Sequence, residues 1–455
     1  MELFQKIENL PVDERLRAED RLHLLLHRQK RTVSSRLELF LLLIGPGILV
    51  MVADNDAGGV ITYAQTGSIF GLGFFVPFMI LMLPLAYFVQ EMTVRLGATT
   101  HRGHAEMIWK RYGKFWGTFS LSDLVIANFL TFITEFIGIT IGMSVFGVPP
   151  VISVVVFILL VVTIQLFLRY SSWERLSLFI AAFNLVFIPL LFFVHNPDWG
   201  LVAESFRTWK ISSGKNSLFL YVLLANLGTT IAPWMLFFQQ SSVVDKGLTS
   251  HDIRRGQIDT LIGSAVMVAV ATSIIIFTGM TVNAADKGGI ISVEGILKII
   301  SSKVGVLPLE LFSVGLIEAG FISAIAISAS TSWAVSEALG WQGSINIPAS
   351  DRRAIRFYLP SFVALVIAAT ITLIPNAPLG FLNLAVQVIA TIFMPAAMLF
   401  LLLLLNDKEI MGSAVNKRWQ NAVGFGIIGF LILMNALYGI SVALPSVFER
   451  LLSLL

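Results

Sequence analysis

The sequence predicts an all-α polytopic membrane protein of about 11 transmembrane helices, built as an inverted five-plus-five repeat in which helices 1 and 6 are broken. Three observations support this fold class. The chain of 455 residues is 56% hydrophobic and only 13% charged, which is too apolar for one water-soluble core. Its apolar residues form windows of transmembrane length. Two of those windows, five apart, are interrupted.

Eleven apolar windows, numbered here as spans 1 to 11, are long enough to cross a bilayer as helices. They lie at 39–69, 74–94, 119–146, 151–168, 176–195, 217–243, 258–281, 308–338, 357–375, 380–405 and 421–445. The predicted organisation is an N-terminal cytoplasmic segment at 1–38, a first five-span repeat at 39–195, a second, inverted repeat at 217–405, and the additional span 11 at 421–445.

The distribution of basic residues predicts the orientation. If the N-terminus is cytoplasmic, the inner segments contain 24 of the 31 Lys and Arg residues, as the positive-inside rule requires. An odd number of spans then places the C-terminus outside, in the inner (plasma) membrane of the cell. We expect a monomer in the lipid bilayer, with no nucleic-acid partner and no resident cofactor. The absence of cysteine excludes disulfides and thiolate metal ligands.

Two segments outside the spans carry helical patterns. The N-terminal stretch RLRAEDRLHLLLHRQKRTVSSR is either a solvated positive flank of span 1 or a short amphipathic helix on the inner leaflet. The outer segment GGIISVEGILKIISSKVGVLP has apolar residues at helical spacing, with Lys298 and Lys303 on the other face. We expect a short interfacial helix there.

Span 1 is interrupted by the polar stretch ADNDAGG, residues 53–59. An ionised aspartate at the bilayer centre costs at least about 2.5 to 3.5 kcal/mol, so Asp56 is expected to face protein, water or a cation. An unwound stretch also frees backbone carbonyls such as that of Ala53, and Asn55 adds an amide oxygen. Gly59 leaves room beside an ion. Asp54 is predicted to line a vestibule, to accept a hydrogen bond or to contact the ion.

Span 6 is interrupted in NLGTTIAPW, where Pro233 cannot continue the helical hydrogen bonds. Thr229 and Thr230 offer oxygen atoms there, while Ala232 offers only a carbonyl and empty volume. Because five spans separate the two breaks, the second repeat is inverted relative to the first. Broken helices at matching positions of inverted repeats mark a transport site near the membrane midplane, so the sequence predicts a hard, oxygen-rich cation site.

Other polar residues within the spans have competing interpretations. Glu135 is either a hydrogen-bonded carboxyl or part of an ion or proton path, and Gln387 either lines the site or packs. Asp123, Glu318 and Glu337 are expected to make polar contacts between helices. No histidine is predicted to lie deep in a span, since His195 is at a boundary and the others are in loops or the N-terminal segment. A metal site built on imidazole is therefore not expected.

At these residues the chain resembles the Nramp family of divalent metal transporters. GPGILVMVADNDAGG is similar to the family pattern GPG-x8-DPGN of the first span, and EFIG after Thr134, Gln387 and LLLLNDKEIMGSAVNKRWQN match as well. The resemblance covers nearly the whole chain. It implies the LeuT-like inverted repeat with broken helices 1 and 6, and transport of a divalent cation by alternating access.

The departures from the family pattern concern the substrate. Asp56 is retained, but Gly59 replaces the ligand asparagine, and Ala232-Pro233-Trp234 replaces Met-Pro-His. Phe132 stands where the family carries an acidic residue tied to proton movement. These changes resemble the Nramp-related magnesium transporters, which implies a largely hydrated Mg²⁺ as substrate, with Mn²⁺ as a second ion, and uptake driven by membrane potential without protons.

Four alternatives remain open. A proton-coupled Mn²⁺/Fe²⁺ symporter would need titratable groups near the site, and an organic-cation carrier of the same fold could use Asp56 as a counter-ion. An ion channel would show flux without saturation at low turnover. An intramembrane enzyme using Asp54 and Asp56 is disfavoured because paired catalytic acids converge from separate elements and no hydrolase or P-loop motif is present.

Overall fold

The computed structural model describes residues 45–211, 216–282, 290–341, 343–446 and 448. Within them the chain is helical, at 84% helix and without strands, which confirms the predicted all-α class. The predicted cytoplasmic segment 1–38, with its amphipathic stretch, and the first six residues of predicted span 1 lie outside the described residues.

Span 1 forms two helices, 1a (Pro46–Ala53) and 1b (Ala57–Phe70), and span 6 forms 6a (Asn216–Thr230) and 6b (Pro233–Asp245). The remaining helices in the positions of spans 2 to 5 are Phe75–Thr100, His104–Val145, Pro150–Phe167 and Tyr170–Ala181, the last continued by 3₁₀ turns Ala182–Phe187 and Pro189–Phe193. Spans 7 to 11 are Ile253–Thr281, Val306–Ala338, Arg352–Ile371, Leu379–Leu405 and Arg418–Ala443.

In the described part of the chain, 10 helical segments are long and apolar enough to cross a membrane. Span 1 is not among them because its halves have only 8 and 14 residues. Together the broken span 1 and these segments occupy the eleven predicted windows. Three of the described α-helices begin at a proline, namely 1a at Pro46, span 4 at Pro150 and 6b at Pro233. Proline suits this place because the N–H group of the first helical residue has no partner within the helix.

Two segments differ from the expected organisation, and a third agrees with it. Span 3 begins at His104 and not near residue 119, because a polar segment forms one more helical stretch that ends in a kink at Gly113 (φ 81°). A helix at Trp199–Thr208 between spans 5 and 6 was not expected. The expected helix in the segment after span 7 is present as Val293–Val304.

Spans 1 and 6 lie inside the bundle, and spans 4 and 11 lie at its edge. Buried residues make up 83% of the most apolar window of span 6 but 28% of that of span 4 and 22% of that of span 11. Many large apolar side chains on the outer spans are exposed, as expected for helices that face lipid. The two breaks are therefore enclosed by protein.

Helix 1a is held at its N-terminus by a carboxylate of span 7. Asp259 accepts hydrogen bonds from the backbone N–H groups of Gly45 (3.1 Å), Gly47 (2.7 Å) and Ile48 (3.2 Å). These are among the N–H groups that a helix cannot bond internally, and a negative charge is favoured there. Next to them Lys246 of span 6 forms a buried ion pair with Glu174 of span 5 at 2.8 Å.

Candidate functional site

The break of span 1 places a carboxylate at the start of a half-helix. Residues 54–56 separate helices 1a and 1b, and Asp56 is the N-cap residue of 1b. Its side chain accepts a hydrogen bond from the backbone N–H of Gly59, as N-cap aspartates do. Only 2% of Asp56 is exposed, so its charge lies in the protein interior.

The break of span 6 lies close to this carboxylate. Helix 6a ends at Thr230, and 6b starts at Pro233 with the backbone N–H of Met235 donating to the carbonyl of Ala232 (3.2 Å). A Cβ atom added to Gly59 would lie 2.6 Å from Thr229 Oγ1 and 3.1 Å from Asp56 Oδ1. The expectation that Gly59 leaves room beside an ion is therefore wrong, because Thr229 and Asp56 already fill that side of the glycine; Gly59 instead allows the two broken spans to approach closely.

Span 10 reaches the same place through Gln387. A Cβ atom on Gly58 would overlap the side-chain amide nitrogen of Gln387 and lie 2.8 Å from Thr134 Oγ1 of span 3. Gly58 is thus required by the close approach of spans 3 and 10 to helix 1b. The structure brings together Asp56, Gly59, Thr229 and Gln387 from three spans.

Several polar atoms around the two breaks are buried without a hydrogen-bond partner. They are both carboxylate oxygens of Asp54, Thr229 Oγ1, Gln387 Nε2 and Trp234 Nε1. Buried polar groups are normally bonded, so such a concentration indicates a place for a ligand or water. In the part of the chain that the structure describes, no group of three or more His, Cys, Asp and Glu side chains could hold a metal ion. An ion here would be bound by mixed oxygen donors.

Two predicted site groups also stabilise the interrupted backbone. Glu135 Oε2 accepts from the backbone N–H of Ala57 at 3.0 Å, and the carbonyl of Ala53 accepts from Ser323 Oγ at 2.6 Å. A carbonyl oxygen has two lone pairs, so the hydrogen bond to Ser323 leaves Ala53 able to bind an ion. Thr230 Oγ1 bonds back to Asn226 (2.7 Å), which leaves its carbonyl as its candidate ligand.

The side chains of Asn55 and Asp54 are engaged differently. The amide nitrogen of Asn55 donates to Asn184 Oδ1 (3.3 Å) and to the carbonyl of Met267 (3.1 Å), so its side chain is engaged with spans 5 and 7 and not with span 6. Asp54 was expected to line a vestibule, to accept a hydrogen bond or to contact the ion. It is fully buried and neither of its oxygens has a partner, which leaves contact with the ion as a prediction.

The aromatic residues at the departures from the family pattern are buried. Trp234 packs edge-on against Phe238, with ring centroids 5.9 Å apart, and Phe238 contacts Trp173 and Trp333. Phe132 is fully buried on span 3. Neither side chain can carry a proton at ordinary pH.

His104 corrects the expectation about histidine. It begins span 3 instead of lying in a loop and is fully buried. Its Nδ1 atom lies 2.9 Å from Gln240 Oε1 of helix 6b.

Two acidic residues within the spans make the expected polar contacts between helices, since Glu318 accepts a hydrogen bond from Asn184 and Glu337 accepts one from Ser241. Asp123 is partly buried on span 3.

Sequence reasoning missed several residues that position the break. Asn383 of span 10 donates to the carbonyl of Gly58 (3.0 Å) and to Thr62 Oγ1 (3.1 Å). It precedes Gln387 by one helical turn, which was the available signal. Tyr63 lies 3.4 Å from Thr230 Oγ1 and links the two broken spans. Ser323 and Asn184 gave no signal in sequence.

Comparison with known proteins agrees with this architecture. The family model described as natural resistance-associated macrophage protein-like matches residues 47–441. A relative from Staphylococcus aureus (strain Mu3), named divalent metal cation transporter MntH, is 26% identical over 436 residues, 88% of this chain and 91% of the relative.

Solved structures show the same fold. A manganese transporter from Eremococcus coleocola, solved as a point mutant, matches with a TM-score of 0.73 at 22% identity, covering 90% of this chain and 88% of that one. MhsT in complex with L-phenylalanine matches with a TM-score of 0.52 at 13% identity, covering 87% of this chain and 98% of that one. The likeness confirms the predicted LeuT-like fold.

The close approach at Gly58 can be tested by adding a methyl group. In Gly58→Ala, spans 3 and 10 must shift, and overpacking of this kind costs about 1–3 kcal/mol. We expect a lower midpoint of thermal unfolding of the purified protein. Gly426→Ala is the matched control, since a Cβ atom at this position of span 11 meets nothing within 4 Å. Equal midpoints for the two variants would contradict the packing described here.

Proposed function

Because the chain belongs to the Nramp family and is a divalent metal transporter of that type, we propose that it carries largely hydrated Mg²⁺ into the cytoplasm by alternating access. It is a membrane transporter and not an enzyme. The observation that carries the proposal is the composition of the site between the two breaks, where the Asp56 carboxylate is accompanied by oxygen donors and by two positions, Gly59 and Ala232, without a ligating side chain.

The proposed ligand set contains only hard donors. It consists of the Asp56 carboxylate, the carbonyls of Ala53 and Thr230, the hydroxyl of Thr229 and the side-chain amide of Gln387. Mg²⁺ prefers oxygen ligands, is bound through one or two carboxylates, and usually keeps several of its waters. The side-chain nitrogen of Asn55 is bonded to spans 5 and 7, while its buried oxygen Oδ1 has no partner, so Asn55 stays a candidate member of this set.

Gly59 and Ala232 leave the ion with fewer protein ligands. A Cβ atom at position 59 would lie 2.6 Å from Thr229 Oγ1, so Gly59 allows the two broken spans to approach closely and supplies no side-chain ligand. Ala232 contributes no sulfur, whereas thioether ligands favour softer metals. A site with hard donors and few protein ligands suits an ion that dehydrates reluctantly and keeps several of its waters.

Membrane potential is the proposed driving force. Moving two charges through 100 mV is worth about 4.6 kcal/mol, which corresponds to more than a thousandfold concentration ratio. Phe132 and Trp234 are not titratable near neutral pH, so the positions where the family carries a proton-linked acid and a histidine supply no carrier. Uptake without protons follows from these replacements.

Membrane orientation, repeat boundaries and assembly belong to the same proposal. We propose a cytoplasmic N-terminus, an outside C-terminus, the plasma membrane as location, repeats at 39–195 and 217–405, and a monomer. The excess of Lys and Arg in the predicted inner segments supports the orientation.

A second candidate is Mn²⁺, alone or together with protons. It is favoured by the similarity to proteins that are named manganese transporters. An organic cation paired with Asp56 is the third candidate, and competition of Mg²⁺ uptake by Mn²⁺ and by amines separates the three.

The carboxylate of Asp56 can be tested directly. Purified protein in vesicles, assayed with an internal Mg²⁺ dye, should lose uptake by roughly tenfold or more in Asp56→Asn, because the charged ligand is removed. Asp123→Asn, a similar change on span 3 away from both breaks, should retain uptake. Wild-type Mg²⁺ flux in the Asp56→Asn variant would disprove the proposed site.

Proton coupling has its own readout. With a pH dye inside the same vesicles and an inside-negative potential, Mg²⁺ should enter while the internal pH stays constant. Internal acidification that depends on Mg²⁺ would refute proton-independent uptake, and Glu135→Gln would then be the first variant to examine.

Ion selectivity should respond to restored family ligands. Gly59→Asn combined with Ala232→Met supplies an amide and a thioether, so we expect increased uptake of Mn²⁺ or Cd²⁺ relative to Mg²⁺. Gly59→Asn with Ala232→Leu is the matched control, since leucine fills similar volume without sulfur. An equal gain in both double variants, or no gain in either, would count against a role for these positions in selectivity.

A further inference from the structure

A basic cavity lies between the end of span 8 and the start of span 9. It has a volume of about 410 Å³ and is called the 8–9 cavity below. The last turn of span 8, the residues that follow it and the first turns of span 9 form its wall, which includes Ser336, Leu339, Gly340, Trp341, Arg353 and Arg356. The transport proposal uses none of these residues.

The chain leaves span 8 in a turn that folds back over the end of the helix. Gly340 has a left-handed backbone (φ 66°), its N–H donates to the carbonyl of Glu337 (3.3 Å), and the N–H of Trp341 donates to the carbonyl of Ser336 (2.8 Å). This is the Schellman arrangement, which satisfies the last carbonyl groups of a helix and favours glycine at its left-handed position. The turn therefore closes the end of span 8 and brings Trp341 into the cavity wall.

Arg356 brings a positive charge that no acidic side chain neutralises. Its Cζ atom lies 4.1 Å from the centre of the Trp341 ring, which is a cation–π contact. Among the residues that the structure describes, no carboxylate forms an ion pair with Arg356, whereas Arg353 is paired with Asp351 at 2.8 Å. A guanidinium group that stacks by its face keeps its N–H donors at the edge, where they can bind a phosphate group.

Ser336 adds a polar group that has no partner in the protein. Only 2% of Ser336 is exposed, and its hydroxyl makes no hydrogen bond within the described residues. Buried hydroxyl groups are normally bonded, and a serine in a helix often donates to the carbonyl four residues earlier, as Ser332 does to Ser328 one turn before. The hydroxyl of Ser336 is therefore a donor without a partner in the wall of the cavity that Arg356 also lines.

An apolar track on span 9 begins at the cavity. Ile355, Leu359 and Val363 recur at every fourth residue and so share one face of the helix, where they are 58%, 53% and 49% exposed. Leu339 lines the cavity itself and is also exposed. Because Ile355 directly precedes Arg356, the positive charge and the start of the track lie at the same level of span 9. A phospholipid has the matching pattern, a charged headgroup joined to apolar chains.

We propose that the 8–9 cavity binds the headgroup phosphate of an anionic phospholipid, whose acyl chains lie along the exposed face of span 9. The guanidinium group of Arg356 and the hydroxyl of Ser336 donate hydrogen bonds to the phosphate oxygens. A cavity of this size admits a headgroup. In the proposed orientation it opens at the inner leaflet, where basic pockets between transmembrane helices bind anionic lipids. A soluble phosphate would leave the apolar track without a partner.

Hydrogen bonds join the surroundings of the cavity to the broken span 6. Asp245 at the end of helix 6b accepts from Ser344 Oγ (2.9 Å) and from the backbone N–H of Ile345 (3.2 Å), and Glu337 accepts from Ser241 of the same helix. A lipid that holds the ends of spans 8 and 9 together therefore stabilises contacts of the folded protein. Since a ligand that binds only the folded state raises the unfolding midpoint, its binding is measurable as thermal stabilisation.

Titration of phosphatidylglycerol into the purified full-length protein in neutral detergent, without divalent ions, tests the site. The unfolding midpoint should rise to saturation with phosphatidylglycerol and stay unchanged with phosphatidylcholine or glycerol 3-phosphate at the same concentrations. In Arg356→Gln the half-saturating concentration should increase by roughly fivefold, the effect of one basic residue near an anionic lipid surface. Arg352→Gln is the matched control and should keep the wild-type value, because Arg352 is an exposed arginine of the same helix that does not line the cavity.

Ser336→Ala tests the cavity without disturbing the contact between Arg356 and Trp341. Because its hydroxyl has no partner in the protein, the midpoint without lipid should equal that of the wild type, while the half-saturating concentration of phosphatidylglycerol should rise.

Four outcomes overturn the inference. They are equal stabilisation by phosphatidylglycerol and phosphatidylcholine, the same loss of affinity in Arg352→Gln as in Arg356→Gln, wild-type affinity in both Arg356→Gln and Ser336→Ala, and saturation by glycerol 3-phosphate alone. The last result would assign the cavity to a soluble anion. None of them bears on the Mg²⁺ proposal, because the titration contains no Mg²⁺ and measures no transport.

Discussion

The rest of the structure depends on how the backbone is satisfied where span 1 is broken. Hydrocarbon offers no hydrogen bonds, so each freed N–H and C=O group inside a membrane needs a partner within the protein. Side chains of four other spans supply them. Glu135 bonds Ala57 N, Ser323 bonds Ala53 O, Asn184 bonds Asn55 O and Asn383 bonds Gly58 O. Asp56 caps helix 1b from within the break itself.

These hydrogen-bond partners hold the broken backbone of span 1 in place and still leave oxygen atoms that can bind an ion. A carbonyl that accepts from one side chain still has a second lone pair, so the groups that fix the backbone also direct oxygens toward the centre. Spans 3, 5, 8 and 10 are tied to the same seven residues of span 1. A movement of helix 1a relative to 1b must therefore exchange several of these bonds together, which favours two discrete arrangements over gradual deformation.

The fold was predictable because its signals are local. The length of the apolar windows predicted the spans, and Pro233 and the polar residues around Asp56 predicted the two breaks. The separation of the breaks by five spans predicted the inverted repeat. The partners of the break were not predictable, since Ser323 and Asn184 lie in apolar windows where buried and lipid-facing surfaces have similar composition. The orientation of the Asn55 side chain was not predictable either, because it is set by Asn184 and Met267, which are distant in sequence. His104 was placed in a loop because the charged residues after it conceal a helix that lies ahead of the apolar window.

The replacements at the two breaks support the substrate proposal through the ligands that they remove. Trp234 turns a position that the family uses for imidazole into part of a packed group with Phe238, Trp173 and Trp333, so helix 6b gains apolar contacts beside the break. Side-chain ligands are removed elsewhere, at Gly59, which faces Thr229 and Asp56, and at Ala232. A bare soft metal would need close ligands at those two positions. A hydrated hard ion does not, because its own waters take the place of those ligands and bond to the polar groups around them.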